Sequence, residues 1–166
     1  EFPKHGHSLW LVALGVDKLE ELALELRSKS NLRADVIGSD LTEPSAPEKI
    51  VASLSERNLT IDVLVNNAGF GERGAFAQIA MQRQLDMIQV NITAVAHLTR
   101  LLLLGMIQRN AGGILNVAST AAFQGGPNMT MYYATKAFVL SFTEALHEEV
   151  AGTNVHVTCL CPGPTH

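Results

Sequence analysis

The chain has 166 residues, of which 47% are apolar and 17% are charged, and its formal net charge at pH 7 is −4. This length and apolar content are enough for one globular domain with a buried core. The negative charge argues against nucleic acid or an anionic membrane surface as a partner. The longest apolar stretch, residues 101–107, is far too short to span a bilayer.

Strand-like and helical patterns alternate along the chain, which is typical of a parallel sheet with crossover helices. In chain order, the predicted elements are a strand at 8–13, a helix begun by a capping box at 17–20, a strand at 33–37, a helix begun by a second capping box at 45–48, a strand at 61–66, a helix at 82–109 stopped by the glycines of 111–113, a strand at 114–118, a helix at 131–151 and a strand at 155–161. The apolar pattern of residues 61–66 predicts a central strand that is buried on both faces.

Three residues form a predicted proton-handling site. Tyr132 and Lys136 lie four residues apart, and Ser119 lies thirteen residues before Tyr132, at the end of an apolar run. A phenol ionises only near pH ~10, so it serves as a general acid at neutral pH only when a neighbour makes it more acidic. Positions i and i+4 share a helix face, so we expect the Lys136 ammonium to have this effect on Tyr132. A serine at a neighbouring strand end can then hold the oxygen that receives the proton.

Other motifs accompany these residues. The run Asn66–Gly69 follows the strand at 61–66, Asn91 lies in the long helix, and Pro162 and Gly163 follow the last strand. In this order the chain resembles the short-chain dehydrogenase/reductase family, which has an extended Rossmann sheet and uses NAD(H) or NADP(H). The resemblance covers nearly all of the chain.

The resemblance implies an α/β fold, with a Rossmann-like parallel sheet and helices on both faces, in one partial domain over residues 1–166. The family's first strand with its glycine-rich turn, and its last strand, have no counterpart here, so we expect the chain to be the middle of a longer protein. The first strand lies between the second and the fourth in a Rossmann sheet. Without it, the strands at 8–13 and 33–37 are expected to separate from the other three.

The resemblance also implies roles in hydride transfer between a nicotinamide ring and a carbonyl or alcohol carbon. Tyr132 would be the general acid, and Lys136 would assist it and bind the nicotinamide ribose. Ser119 would hold the substrate oxygen, while Asn91 would anchor a water that leads protons toward Lys136. Tyr133 is three residues from Lys136 and does not fit the motif.

By the same resemblance, the cofactor contacts fall into three groups. Asp40 and Leu41 would border the adenine, residues Asn67, Ala68 and Gly69 would line the adenosine side, and the residues near nicotinamide would be Pro162, Gly163 and Thr165. Each group has a simpler reading: Asp40 as a turn residue, Asn67 as a partner for backbone groups, and Pro162 with Gly163 as a strand stop. NADP is slightly favoured over NAD, although residues 13–15 carry neither usual discriminator. No cofactor is expected if the molecule is complete at 166 residues.

Two other functions stay open. Ser119 could be the nucleophile of a cofactor-independent esterase, activated by Tyr132 and Lys136, although no Gly-x-Ser-x-Gly turn is present. A scaffold or regulatory protein that keeps the fold without the chemistry is the third reading.

The remaining expectations concern cysteines, metals and partners. Cys159 and Cys161 would share one strand face, and we expect small buried fillers rather than a redox pair. The histidines show no ligand spacing, so no metal is predicted. A small-molecule substrate, a cytoplasmic location and a homodimer or homotetramer, formed through the helices that carry Asn91 and Tyr132, complete the prediction.

Overall fold

A computed structural model of the chain describes residues 8–30 and 33–163. The chain divides into two compact units, Glu1–Leu41 and Thr42–His166, and we describe each by itself. The predicted residue Thr165 lies outside the described residues.

The first unit is a strand, a helix and a second strand. β1 (Leu9–Ala13) pairs in parallel with β2 (Ala34–Gly38), and α1 (Val16–Ser30) connects them. The capping box predicted at 17–20 is wrong, because α1 begins at Val16 and Asp17 therefore lies within its first turn. A carboxylate in that position still stabilises the helix, since it faces the positive end of the helix dipole.

The second unit contains a three-stranded parallel sheet with the order β3-β4-β5. Its strands are β3 (Val63–Asn66), β4 (Gly112–Val117) and β5 (Val155–Leu160). Its helices are α2 (Ala46–Glu56), α3 (Met81–Ile88), α4 (Ala94–Arg109) and α5 (Thr130–Glu149). A π-helical turn, Gln89–Thr93, joins α3 to α4, and a 3-10 turn, Thr120–Phe123, follows β4.

Two predicted helix boundaries, at Ser45 and at Arg109, are confirmed, but the signals assigned to them are wrong. Ser45 precedes α2, but its side chain makes no capping hydrogen bond, and Pro47, which is already suited to the first turn, lies at the helix start instead. The helix that ends at Arg109 is stopped by Asn110, which has a left-handed φ of 51°. Asparagine adopts this conformation readily, so Gly112 is free to begin β4.

The expected separation of the strands is confirmed, because β1 and β2 form one sheet and β3, β4 and β5 form another. The predicted burial of the strand at 61–66 on both faces is wrong. β3 lies at the edge of its sheet, and the side chains of Val63 and Val65 are each 40% exposed. An edge strand has a neighbour on one side only, so less of its surface is covered than in a central strand.

The core of the second unit lies between the sheet and the two long helices α4 and α5. Burial alternates along β5, where Val155 and Val157 are buried while His156 and Thr158 are exposed. The core cluster combines this face with residues of α4, β4 and α5 and the residue that follows α5, namely Leu103, Met106, Ile114, Leu146 and Val150. Helix α5 also packs against the 3-10 turn that follows β4, at the carboxyl end of this sheet.

A chain of buried amides and hydroxyls links the sheet to both long helices. Asn116 of β4 is fully buried, and its Nδ2 donates to Thr143 Oγ1 of α5 at 2.9 Å. Its Oδ1 accepts from Asn66 Nδ2 of β3 at 2.8 Å, and Asn66 Nδ2 also donates to Thr99 Oγ1 of α4 at 3.1 Å. Because these buried amides have partners, burying them costs little, and the network aligns the ends of β3 and β4.

One helical run in the described part of the chain, Met81–Arg109, is long and apolar enough by length and composition to cross a membrane. Its polar residues Asn91 and Thr99 are each only 1% exposed and bond to other parts of the second unit. Such contacts are those of a helix in a folded core.

Candidate active site

Asn91 fastens the loop that follows β3 to the long helices. Its Oδ1 accepts the Phe70 N–H at 3.1 Å, and its Nδ2 donates to the Phe70 carbonyl at 2.9 Å. The same Nδ2 donates to Thr135 Oγ1 of α5 at 3.0 Å. Both amide hydrogens are therefore used within the protein, so the Asn91 side chain acts as a clamp. Its predicted role as a water anchor stays a prediction.

The backbone around Asn91 is a π-helical turn within an otherwise α-helical run. Such turns carry one extra residue per turn and frequently occur at functional sites. The turn lets a buried side chain of this helix reach the loop after β3.

Lys136 lies where the loop after β3 meets the end of β4. Its side chain is buried on α5, and Nζ donates to the Val117 carbonyl at 2.8 Å. A Cβ placed on Gly69 would lie 3.1 Å from Asn91 Oδ1 and 3.4 Å from Lys136 Nζ. Burial lowers the pKa of Lys136 below its usual value, while Cys159 and Cys161 act in the opposite direction. Gly69, Asn91 and Lys136 thus form one group.

Tyr132 is half-buried one helical turn before Lys136, and Lys136 Nζ lies 5.8 Å from the centroid of the Tyr132 ring. The loop after β3 also contacts this ring, since a Cβ on Gly71 would lie 2.9 Å from Tyr132 Cδ2. Tyr133 packs elsewhere, with its ring at 76° to that of Tyr132 and directly against Gly126. The structure therefore places Tyr132 beside Lys136 and the loop after β3.

Ser119 is positioned by the 3-10 turn that follows β4. Its Oγ accepts the Ala121 N–H at 3.1 Å and so caps this turn. The Thr120 N–H donates to the Pro162 carbonyl at 3.0 Å, which joins the end of β4 to the end of β5. Helix α5 packs against the same turn. Ser119 and Pro162 therefore belong to the same end of the sheet as Lys136.

The remaining predicted residues have different surroundings. Asn67, Ala68 and Gly69 are exposed after β3, and Gly163 is exposed after Pro162. Asp40 and Leu41 follow β2 in the first unit, so their role at the adenine stays a prediction.

Sequence reasoning missed three contributors to the site: the Phe70 backbone, Gly71 and Thr135. Gly71 could have been found from the sequence. It is the second glycine in the loop after β3, and a glycine often marks a close approach of the backbone to another group. Nothing local in the sequence distinguishes Thr135, since its contact with Asn91 joins residues 44 positions apart.

The family model described as short chain dehydrogenase matches residues 1–166. The chain belongs to the short-chain dehydrogenase family. It is 36% identical over 167 residues to the very-long-chain 3-oxoacyl-CoA reductase of Bos taurus, covering 98% of this chain and 53% of that protein.

Solved structures of the family give the same fold. A short-chain dehydrogenase from Sphingobium yanoikuyae in complex with NADPH is 32% identical, with a TM-score of 0.93, and the match covers 99% of this chain and 64% of that one. An NAD+-bound xylitol dehydrogenase is 27% identical, with a TM-score of 0.87, over 96% of this chain and 62% of that one. The α/β, Rossmann-like fold is thereby confirmed. The chain spans about half to two thirds of the length of these relatives.

Proposed function

We propose that this member of the short-chain dehydrogenase family is an NAD(P)-dependent oxidoreductase that acts on a carbonyl or alcohol substrate. The observation that carries the proposal is the buried Lys136, held at the end of β4 with Tyr132 one turn before it. The reductase and dehydrogenase names of the similar proteins support this proposal. None of these observations favours the esterase.

The residues at the carboxyl end of the sheet fit a dinucleotide. Ligands of open α/β sheets bind in the crevice outside the carboxyl ends of the strands. There, exposed backbone follows β3 at Asn67–Gly69, and Gly69 leaves no free space for a side chain beside Asn91 Oδ1. The nicotinamide ring, when bound, supplies or accepts the hydride. Residues 67–69 would line the adenosine side of the cofactor at the end of β3, and Pro162 with Gly163 would lie near the nicotinamide at the end of β5.

Ser119 and Tyr132 would act on the substrate oxygen. The Ser119 Oγ already accepts the Ala121 N–H, so its own hydrogen is available to donate to a substrate oxygen. Tyr132 would give its proton to that oxygen during reduction and take it back during oxidation. General acid catalysis of this kind contributes about 10²- to 10⁴-fold to the rate.

Lys136 would hold both the cofactor and the tyrosine in place. One N–H of the Lys136 ammonium donates to the Val117 carbonyl, which leaves the other two for a ribose hydroxyl and for Tyr132. Asn91 keeps the loop of Gly69 and Phe70 against this amino group. The proposed roles of Asn91, Tyr132 and Lys136 therefore depend on one connected set of contacts.

Finer properties are part of the proposal. NADP(H) is favoured over NAD(H), supported by the more similar NADPH complex. A homo-oligomer is supported by exposed apolar side chains on the run Met81–Arg109, namely Met81, Leu85, Leu104 and Ile107. A cytoplasmic location and a small-molecule substrate, with neither nucleic acid nor membrane as a partner, complete it.

The proposal is tested by titrating NADPH and NADH into the protein and following nicotinamide fluorescence. Turnover is then measured from nicotinamide absorbance with 3-oxoacyl thioesters and bulky ketones, and p-nitrophenyl acetate is assayed in parallel. We expect nucleotide binding and ketone reduction, with no ester turnover. Absence of nucleotide binding, together with ester hydrolysis that Ser119→Ala abolishes, would show that the esterase reading is correct.

Gly71→Ala is expected to lower kcat about tenfold while KM changes little. The new Cβ would lie 2.9 Å from Tyr132 Cδ2 and 3.1 Å from Met129 Cε, so the phenol must shift by a few tenths of an ångström. A misplacement of about 1 Å can cost about 10²-fold in rate, and a smaller shift costs less. Steady-state kinetics of ketone reduction measure the effect.

Gly125→Ala is the matched control, because a Cβ on Gly125 meets nothing within 4 Å. It should keep the wild-type kcat. Equal losses in the two variants would mean that the contact between Gly71 and Tyr132 does not position the phenol.

A further inference from the structure

Thr135 lies on α5 between Tyr132 and Lys136, and its side chain is fully buried. Its Oγ1 donates to the Tyr132 carbonyl at 2.8 Å and accepts from Asn91 Nδ2 at 3.0 Å. A hydroxyl has a single hydrogen to donate, so this hydrogen is committed to the Tyr132 carbonyl. The Thr135 side chain therefore joins the helix segment that carries the phenol to the Asn91 clamp.

The helix turn that carries Tyr132 lacks a side-chain cap. Met129, which precedes α5, makes no side-chain capping hydrogen bond. The first N–H groups of a helix have no intrahelical partner, and helix ends open more readily than helix middles. Tyr132 is the third residue of α5, so the position of its ring depends on what else holds this turn.

The contacts around Thr135 form a closed circuit through the loop after β3. Asn91, which donates to Thr135, also holds the N–H and the carbonyl of Phe70. Gly71 follows Phe70 and lies against the Tyr132 ring, since a Cβ placed on Gly71 would lie 2.9 Å from Tyr132 Cδ2. The Thr135 hydroxyl closes the circuit at the Tyr132 backbone. The ring and the backbone of Tyr132 are thus both held by contacts that lead to the same asparagine.

We propose that Thr135 is a positioning residue for the proton donor. Its hydroxyl fixes the first turn of α5 against the Asn91 clamp and so sets where the Tyr132 phenol lies. This role rests on the proposed oxidoreductase function, because Thr135 acts through Tyr132 and does not touch the substrate. Loss of the hydroxyl should therefore slow proton transfer, while the binding of NADPH changes little.

Thr143 makes the same two kinds of bond eight residues later in α5, and it provides a matched control. Its Oγ1 accepts from Asn116 Nδ2 at 2.9 Å and donates to the Val139 carbonyl at 2.6 Å, and the residue is 2% exposed. Asn116 belongs to β4, and its other bond goes to the neighbouring strand β3. Removal of either hydroxyl leaves a buried amide hydrogen unpaired, so both changes should lower stability similarly. Only Thr135 is bonded to Tyr132.

The test compares Thr135→Val, Thr135→Ser and Thr143→Val in ketone reduction. Valine has the shape of threonine without the hydroxyl, whereas serine keeps the hydroxyl. We expect Thr135→Val to lower kcat about tenfold, because a small misplacement of a reacting group slows the reaction. NADPH affinity, measured by fluorescence, should change by less than about twofold, since Lys136 keeps its bond to the Val117 carbonyl. Both Thr135→Ser and Thr143→Val should keep kcat within about twofold of the wild type.

A second measurement does not depend on turnover. Hydrogen exchange of the Phe70 amide, followed by NMR, reports on the Asn91 clamp, because this N–H donates to Asn91 Oδ1. We expect exchange to be about tenfold faster in Thr135→Val than in Thr143→Val, since only the former releases the Asn91 side chain. If circular dichroism shows that Thr135→Val does not fold, Thr135→Ala removes the same hydroxyl without adding a methyl group against Asn91 and is read in the same way.

Equal losses of kcat in Thr135→Val and Thr143→Val would overturn the proposal, because the hydroxyl would then support folding alone. Failure of a folded Thr135→Ser to keep kcat would overturn it as well, since the hydroxyl would be present without effect. A wild-type protein that reduces no ketone would remove the proposed function, and with it the role in proton transfer. Faster Phe70 exchange in Thr135→Val would then still establish Thr135 as the anchor of the Asn91 clamp, and unchanged exchange would exclude it.

Discussion

Tyr132→Phe is expected to lower kcat for ketone reduction about 10²- to 10⁴-fold, because it removes the proposed proton donor and little else. The ring contacts with Gly71 do not involve the hydroxyl, so the variant should fold as the wild type does. NADPH affinity, measured by fluorescence, should change little. Steady-state turnover with a saturating ketone measures the loss.

Tyr133→Phe is the control for this experiment. Tyr133 is the adjacent phenol on the same helix, but its ring packs against Gly126. We expect this variant to keep turnover within about twofold of the wild type, because the ring contact with Gly126 does not involve the hydroxyl. A large loss in Tyr133→Phe, with normal turnover in Tyr132→Phe, would show that Tyr133 and not Tyr132 is the proton donor.

Asn91→Ala is expected to lower the free energy of unfolding by about 3 kcal/mol, because unsatisfied buried polar groups cost about 1–3 kcal/mol each. The side chain is 1% exposed, and it holds the N–H and carbonyl of Phe70 as well as the Thr135 hydroxyl. Urea denaturation followed by circular dichroism measures the change. Turnover should also fall, since the loop that contacts Tyr132 loses its clamp.

Two further variants define what Asn91 does. Asn91→Asp keeps the acceptor for the Phe70 N–H but loses both donated bonds, so it should also destabilise the protein. Asn154→Ala, at an exposed asparagine, should change stability by less than about 0.5 kcal/mol. If Asn91→Ala were as stable as Asn154→Ala, the clamp would contribute nothing to folding.

Helix ends illustrate where local patterns fail. The sequence pattern for a capping box occurs before α2, yet Ser45 makes no side-chain capping bond there. A capping pattern states only which atoms could meet, whereas the backbone angle at Ser45 decides whether they do. The glycines at 112–113 likewise predicted a helix stop. Asn110 ends the helix instead, and Gly112 belongs to β4, where it pairs with Val155 of β5.

The sequence by itself determined the order of elements and the family, because hydrophobic periodicity and short motifs are local properties of the chain. It also predicted that Tyr132 and Lys136 meet, since the helix repeat alone brings positions i and i+4 together. Only the tertiary structure decided which groups surround them. The Asn91 clamp joins residues 21 and 44 positions apart, and the bond from Asn66 to Asn116 joins residues 50 positions apart. Such contacts depend on how strands and helices pack, which no window of neighbouring residues specifies.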